Sequence, residues 1–126
     1  MAKKAHDDVI DGALIVVRSN CTRMTACVGE PTTYAEANTG GAKCLAVATM
    51  VAGDFTLSAG DVSGRKIRVG AKSGVSITAT GSVDHIALLD VTNARLLYVT
   101  TCGSQVLTSG NSMSFAAWDI EIASPV

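Results

Sequence analysis

Apolar and polar residues alternate along most of this chain in short runs, and the clearest lie between Val83 and Thr101. Val83–Leu89 and Leu96–Thr101 are apolar and rich in β-branched residues, and the polar break at 90–95 reads as the turn of a central hairpin. Arg65–Ala71 alternates cleanly, with Ile67, Val69 and Ala71 pointing one way and Lys66 and Arg68 the other. Lys72-Ser73-Gly74 is expected to turn the chain tightly into another strand, where Val75, Ile77 and Ala79 alternate with Ser76, Thr78 and Thr80. Thr22–Val28, Lys43–Val51 and Asp54–Ser58 read as earlier strands, and Gln105–Thr108 as a short one after a break at Cys102-Gly103-Ser104. The last run, Ser112–Ala123, changes parity: Met113 and Phe115 fall on one side, Trp118, Ile120 and Ile122 on the other. A strand cannot bury both sets on one face without an extra residue, which predicts a β-bulge at Ala116-Ala117.

Only the N-terminal part follows a different period. Asp7 or Asp8 is placed to cap a helix carrying Val9, Ala13 and Val16, with Ile10, Leu14 and Val17 beside them, and Arg18 and Asn20 suit its end. Gly29–Gly41, punctuated by Pro31 and Gly40-Gly41, is the longest irregular stretch, either a solvated loop or a contact with a neighbouring subunit. The expected fold is mainly β: an antiparallel β-sandwich of eight or nine short strands with one N-terminal helix. Jelly-roll connectivity is one way to join such strands, and a closed barrel is the alternative. Residues 1–6 are expected to form a loose arm and residues 7–126 a single domain.

Composition narrows the functional classes. The chain is 48% hydrophobic but only 4% aromatic, so its core must be built from Val, Ile, Leu and Ala. A net charge of −1 lacks the basic excess that nucleic-acid binding uses. No apolar run approaches the roughly 18 residues of a membrane span. Lys3 and Lys4 precede an apolar run, but Asp7, Asp8 and Asp11 interrupt it, against a signal peptide. Synthesis and retention in a cytoplasm are expected. A mean hydropathy of +0.34 is high for a small monomer and points to an oligomer or an assembly component.

Candidate chemistry is sparse. Cys21, Cys27, Cys44 and Cys102 have no metal-ligand spacing and read as free, mostly buried thiols. Asp84 and Asp90 share a strand face but stand roughly 20 Å apart, too far to cooperate. Asp119 and Glu121 lie about 7 Å apart on the last strand and read as an outward face, toward solvent or a partner. His85 fits a hydrogen-bonded core or interface residue better than a base. No GxSxG elbow occurs, and Gly60–Lys66 lacks the spacing of a phosphate loop. No catalytic residue, cofactor or metal is expected. Trp118, the sole tryptophan, reads as a core plug or an interface anchor.

Three segments, CVGEPTTYAEA, GDVSGRKIRVGAKSGVSITATGSVDHIALLD and RLLYVTTCGSQVLTSGNSMSFAAWDIEI, resemble small virion structural proteins of tailed bacteriophages. The most specific marks are Glu30-Pro31-Thr32-Thr33-Tyr34, Gly64-Arg65-Lys66, Gly110-Asn111 and Ala117-Trp118-Asp119-Ile120. The resemblance implies a non-enzymatic head decoration or cement protein on the virion surface. Its partners would be the major capsid protein and copies of itself, with no direct contact to nucleic acid or membrane. A place in tail, collar or fibre is the alternative. Contacts are then expected at Lys3, Lys4, Glu30, Pro31, Tyr34, Trp118, Asp119 and Glu121. A carbohydrate-binding sandwich is a third reading, weakened by the thin supply of rings: Trp118, Tyr34, Tyr98, Phe55 and Phe115.

Overall fold

A computed structural model describes residues 4–124, so the contact expected at Lys3 lies outside the described residues. The first element is helix α1, Asp7–Asn20. Its cap is His6, whose Nδ1 accepts the Asp8 N–H at 3.1 Å, while Asp7 and Asp8 sit in the first turn against the positive end of the dipole. The expected Asp7 or Asp8 cap is therefore displaced by one residue. Ile10 and Leu14 are buried with Val17 beside the core, whereas Val9 and Val16 of the other apolar row face outward.

Nine strands follow: β1 Arg23–Cys27, β2 Cys44–Thr49, β3 Phe55–Ala59, β4 Arg65–Val69, β5 Lys72–Ser76, β6 Gly81–Asp90, β7 Arg95–Leu107, β8 Ser112–Phe115 and β9 Trp118–Ile122. A short helix, α2 (Tyr34–Ala37), sits between β1 and β2. All pairings are antiparallel, in a four-stranded sheet ordered β2-β1-β6-β7, a three-stranded sheet ordered β3-β4-β9 and a two-stranded β5-β8. The mainly-β, sandwich-like class read from the sequence is what the chain adopts. Its strands do not sort into the two four-stranded sheets of a jelly roll.

The main core joins the layers. Met24, Ala26, Ala46 and Leu88 from the four-stranded sheet meet Phe55, Ile67, Val69 and Ile120 of the three-stranded one, with Val75 and Phe115 from β5 and β8 and Leu14 from α1. The four-stranded sheet is buried on its other face as well. There Cys27, Ala87 and Leu89 lie under Tyr34 and Ala37 of α2. Consecutive residues of β1 and β6 are accordingly buried, so alternation fails at Met24–Cys27 and Ala87–Asp90.

Four local expectations are corrected. Lys72-Ser73-Gly74 does not turn β4 back on itself; Lys72 opens β5, which pairs with β8. The Cys102-Gly103-Ser104 break does not end a strand. β7 runs through it, and the extra residues form an irregularity opposite Val83–His85. The parity change at Ala116-Ala117 is real but is not a bulge within one strand. The chain leaves β8 there, and β9 pairs with β4 in another sheet. Gly29–Gly41 is not wholly irregular, because Thr33 caps α2 by accepting the Glu36 N–H at 3.2 Å.

Candidate functional site

Three strand edges converge on one side of the molecule. β7 ends the four-stranded sheet, β9 ends the three-stranded sheet, and β8 belongs to the two-stranded pair. Between them lies a groove of about 360 Å³, with Val83, Ile86 and Thr100–Gly103 on one wall and Met113–Asp119 on the other. Ile86, Cys102, Met113 and Trp118 are only partly buried and line the exposed margin of the main core there. Trp118 stacks on Tyr98, ring centroids 5.9 Å apart, and its indole Nε1 is buried without a hydrogen-bond partner. A buried donor left unpaired costs about 1–3 kcal/mol.

The edge of β7 is the longest element here. Its residues are mostly exposed or half-exposed, with Val106 71% accessible. No charged residue occurs from Leu96 to Leu107. Arg95, at the start of the strand, is held by Asp90, Nη2 to Oδ2 at 2.8 Å. Asp90 is buried and also accepts the Asn93 N–H and side-chain amide, at 3.2 and 2.8 Å, so it closes the β6–β7 turn. Those Asn93 and Arg95 hydrogen bonds hold its carboxyl below the usual aspartate range.

A second, shallower depression is lined by Glu30, His85, Val99, Thr100 and Thr101. Asp84 Oδ1 lies 2.8 Å from His85 Nδ1 and accepts the Gly29 N–H at 2.7 Å. The histidine and then Gly29 lower the Asp84 pKa. An oriented imidazole is half of an acid–base device, but no hydroxyl or thiol hydrogen-bonds His85 among the described residues. Nor does any group of three His, Cys, Asp or Glu residues stand ready to hold a metal among them. No helix in the described part is long and apolar enough to cross a membrane.

The four cysteines are free, with Cys21, Cys27 and Cys44 buried and Cys102 partly exposed. Burial pushes the Cys21 and Cys44 thiols up to about 11 and raises Cys27 and Cys102 as well.

The expected contact residues do not form one patch. Trp118 and Asp119 line the groove. Asp119 also pairs with Lys66 at 3.5 Å and Arg68 at 3.3 Å, and Glu121 accepts the Asp61 N–H, so both carboxylates are engaged within the chain rather than free for a partner. Glu30 is exposed at the second depression, and its carbonyl accepts Lys43 Nζ at 2.7 Å. Pro31 is fully buried, which removes it from any contact surface. Tyr34 is half-buried over Cys27 and Leu89, serving as part of the cover. Lys4 is exposed just before α1.

The sequence reading missed the β7 edge. Its signal was present, a run from Leu96 to Leu107 without charge or proline, but Gly103 divided it into two strands. It also missed α2, although Thr33 followed by Glu36 has capping-box spacing.

Together these features define a mainly-β domain with one open, uncharged strand edge beside an apolar groove. Comparison with known proteins finds no matching family, no matching curated protein and no matching solved structure.

Proposed function

We propose that this chain is a non-enzymatic structural subunit of a bacteriophage virion, a decoration or cement protein that binds the head lattice and stabilises it. The observation that carries this reading is the convergence of the β7, β8 and β9 edges on one open groove. Unpaired backbone groups and half-covered apolar side chains suit contact with other protein chains. The resemblance of three segments to virion proteins supplies the setting, and the net charge of −1 agrees with a role away from nucleic acid. A sugar-binding role is less favoured, since Phe55 and Phe115 are buried, Tyr34 packs on the fold, and Trp118 and Tyr98 stack on each other.

The test is to add purified protein to heads assembled without it and to image the particles. Density on the head surface, with a higher temperature for DNA release, is the expected result. Density confined to the tail would transfer the subunit there, and no density on any part of the particle would end the proposal. Tyr34→Ala should leave occupancy intact if its ring serves as cover, and should lower it if the ring is an anchor.

A further inference from the structure

Of the free edges among the described residues, β7 alone is long, uncharged and uncovered. The outer side of β2 is occupied, since Thr78 and Ala79 donate to the Leu45 carbonyl at 2.8 and 3.2 Å and Ala46 bridges Ile77. β3 is five residues long and α1 packs against it. β9 carries Asp119 and Glu121, the kind of charge that guards an edge. β8 has only four residues. Among the described residues, no strand pairs with the outer side of β7.

We propose that β7 pairs antiparallel with β7 of a second copy of this chain across a two-fold axis, joining two four-stranded sheets into one. Rotation about such an axis sets each residue of the strand against another of the same strand. Like charges on the strand would therefore oppose each other in some register. Between Leu96 and Leu107 there are none, and Arg95 is already neutralised by Asp90. Thr100, Thr101, Ser104 and Gln105 offer hydroxyl and amide groups for cross-strand pairs.

The area sets the strength. Thirteen residues at about 3.4 Å each give an edge about 44 Å long, and a depth of about 10 Å makes roughly 450 Å² per copy. A stable pair buries about 800 Å² per partner, so the edge alone supports a reversible dimer with a dissociation constant in the micromolar range. Tyr98 and Val106, exposed on the same strand, add to this area.

This inference rests on reading the open edge as an assembly surface, and it fails or stands separately from the virion setting. Sedimentation of the purified chain from about 1 to 200 µM reads the dimer directly, and hydrogen exchange at both ends of that range reads which amides it covers. The expected result is a shift from the 12.9 kDa monomer to twice that mass, with extra protection confined to β7. Val106→Lys and Thr101→Lys, both at exposed positions, should weaken the dimer tenfold or more while keeping the fold. Val62→Lys, at a 91% exposed turn residue, should leave it unchanged. A chain still monomeric at the top concentration overturns the inference, as does a dimer whose β7 amides and lysine variants behave like the control. A β7 dimer that fails to bind heads would sink the virion reading alone. Head binding that survives in a chain with no β7 dimer would sink this one alone.

Discussion

Leu88 and Leu89 are consecutive in β6, and each is completely buried, but in different places. Leu88 belongs to the main core and Leu89 to the small cluster under α2. In a sheet with one wet face, only one of two successive leucines would matter to stability. Here both should. Leucine to alanine removes three carbons, about 2.4 kcal/mol of transfer energy at roughly 0.8 each. An uncollapsed cavity adds up to about 2 kcal/mol more. Leu88→Ala is therefore expected to destabilise by about 3–4 kcal/mol. Leu89→Ala should lose about 2.5–3 kcal/mol, because the four-residue α2 can settle into the space. The two clusters share no residue, so the double variant should lose clearly more than either single one, and its departure from the sum of about 6 kcal/mol reads the coupling through the shared backbone. Urea unfolding followed by far-UV circular dichroism reads these values, with each single variant lowering the midpoint by about 1–2 M. A loss below about 1 kcal/mol for Leu89→Ala would refute the two-sided burial and return 29–41 to the role of a solvated loop.

Other outcomes follow from the same geometry. The Asp90 carboxyl is held below its ordinary value, so its contribution is present above the unfolded pKa of about 3.9 and fades as pH falls through the lower folded value. Asp90→Asn should thus be less stable than the natural chain at pH 7 and converge with it in strong acid; urea midpoints across pH measure this. A thiol reagent at pH 8 should modify Cys102 well before Cys21, Cys27 and Cys44, and Cys102→Ser should remove the fast phase. Gly64→Ala should destabilise by more than about 2 kcal/mol in thermal unfolding, since Gly64 has φ +71° and an added Cβ would clash with the Ile122 carbonyl oxygen.

How far the chain could be read from its sequence depended on whether a residue's neighbours along the chain decide its environment. Helical spacing in α1 fitted two apolar rows, of which only Ile10, Leu14 and Val17 face the core, whereas Ile67 and Val69 against Lys66 and Arg68 announced β4, because that strand has one wet side. At Met24–Cys27 the pattern gave a strand but not the burial of its second face, since the cover there comes from α2, a separate segment. Met113, Phe115, Trp118 and Ile120 reported their parity faithfully. What they could not report is that two sheets, and not one irregular strand, receive them. Gly103 was read as a stop because a glycine weakens a strand interior, yet a long partner such as β6 tolerates it in an irregularity. The open groove was the least legible feature, being a gap that exists only once three strand edges are in place.

The path of the chain through the four-stranded sheet also bears on when the protein can mature. β1 is made early, yet its neighbour β6 lies about sixty residues further on, as the Arg23–Leu89 and Cys27–His85 pairings require. β4, likewise, waits for β9, about fifty residues further on, as the Val69–Trp118 pairing requires. Such distant partners slow folding, so neither layer can close until the later strand of each pair has been made. Until then the β-branched segments stand unprotected, and shelter by a chaperone should raise the yield of folded chains.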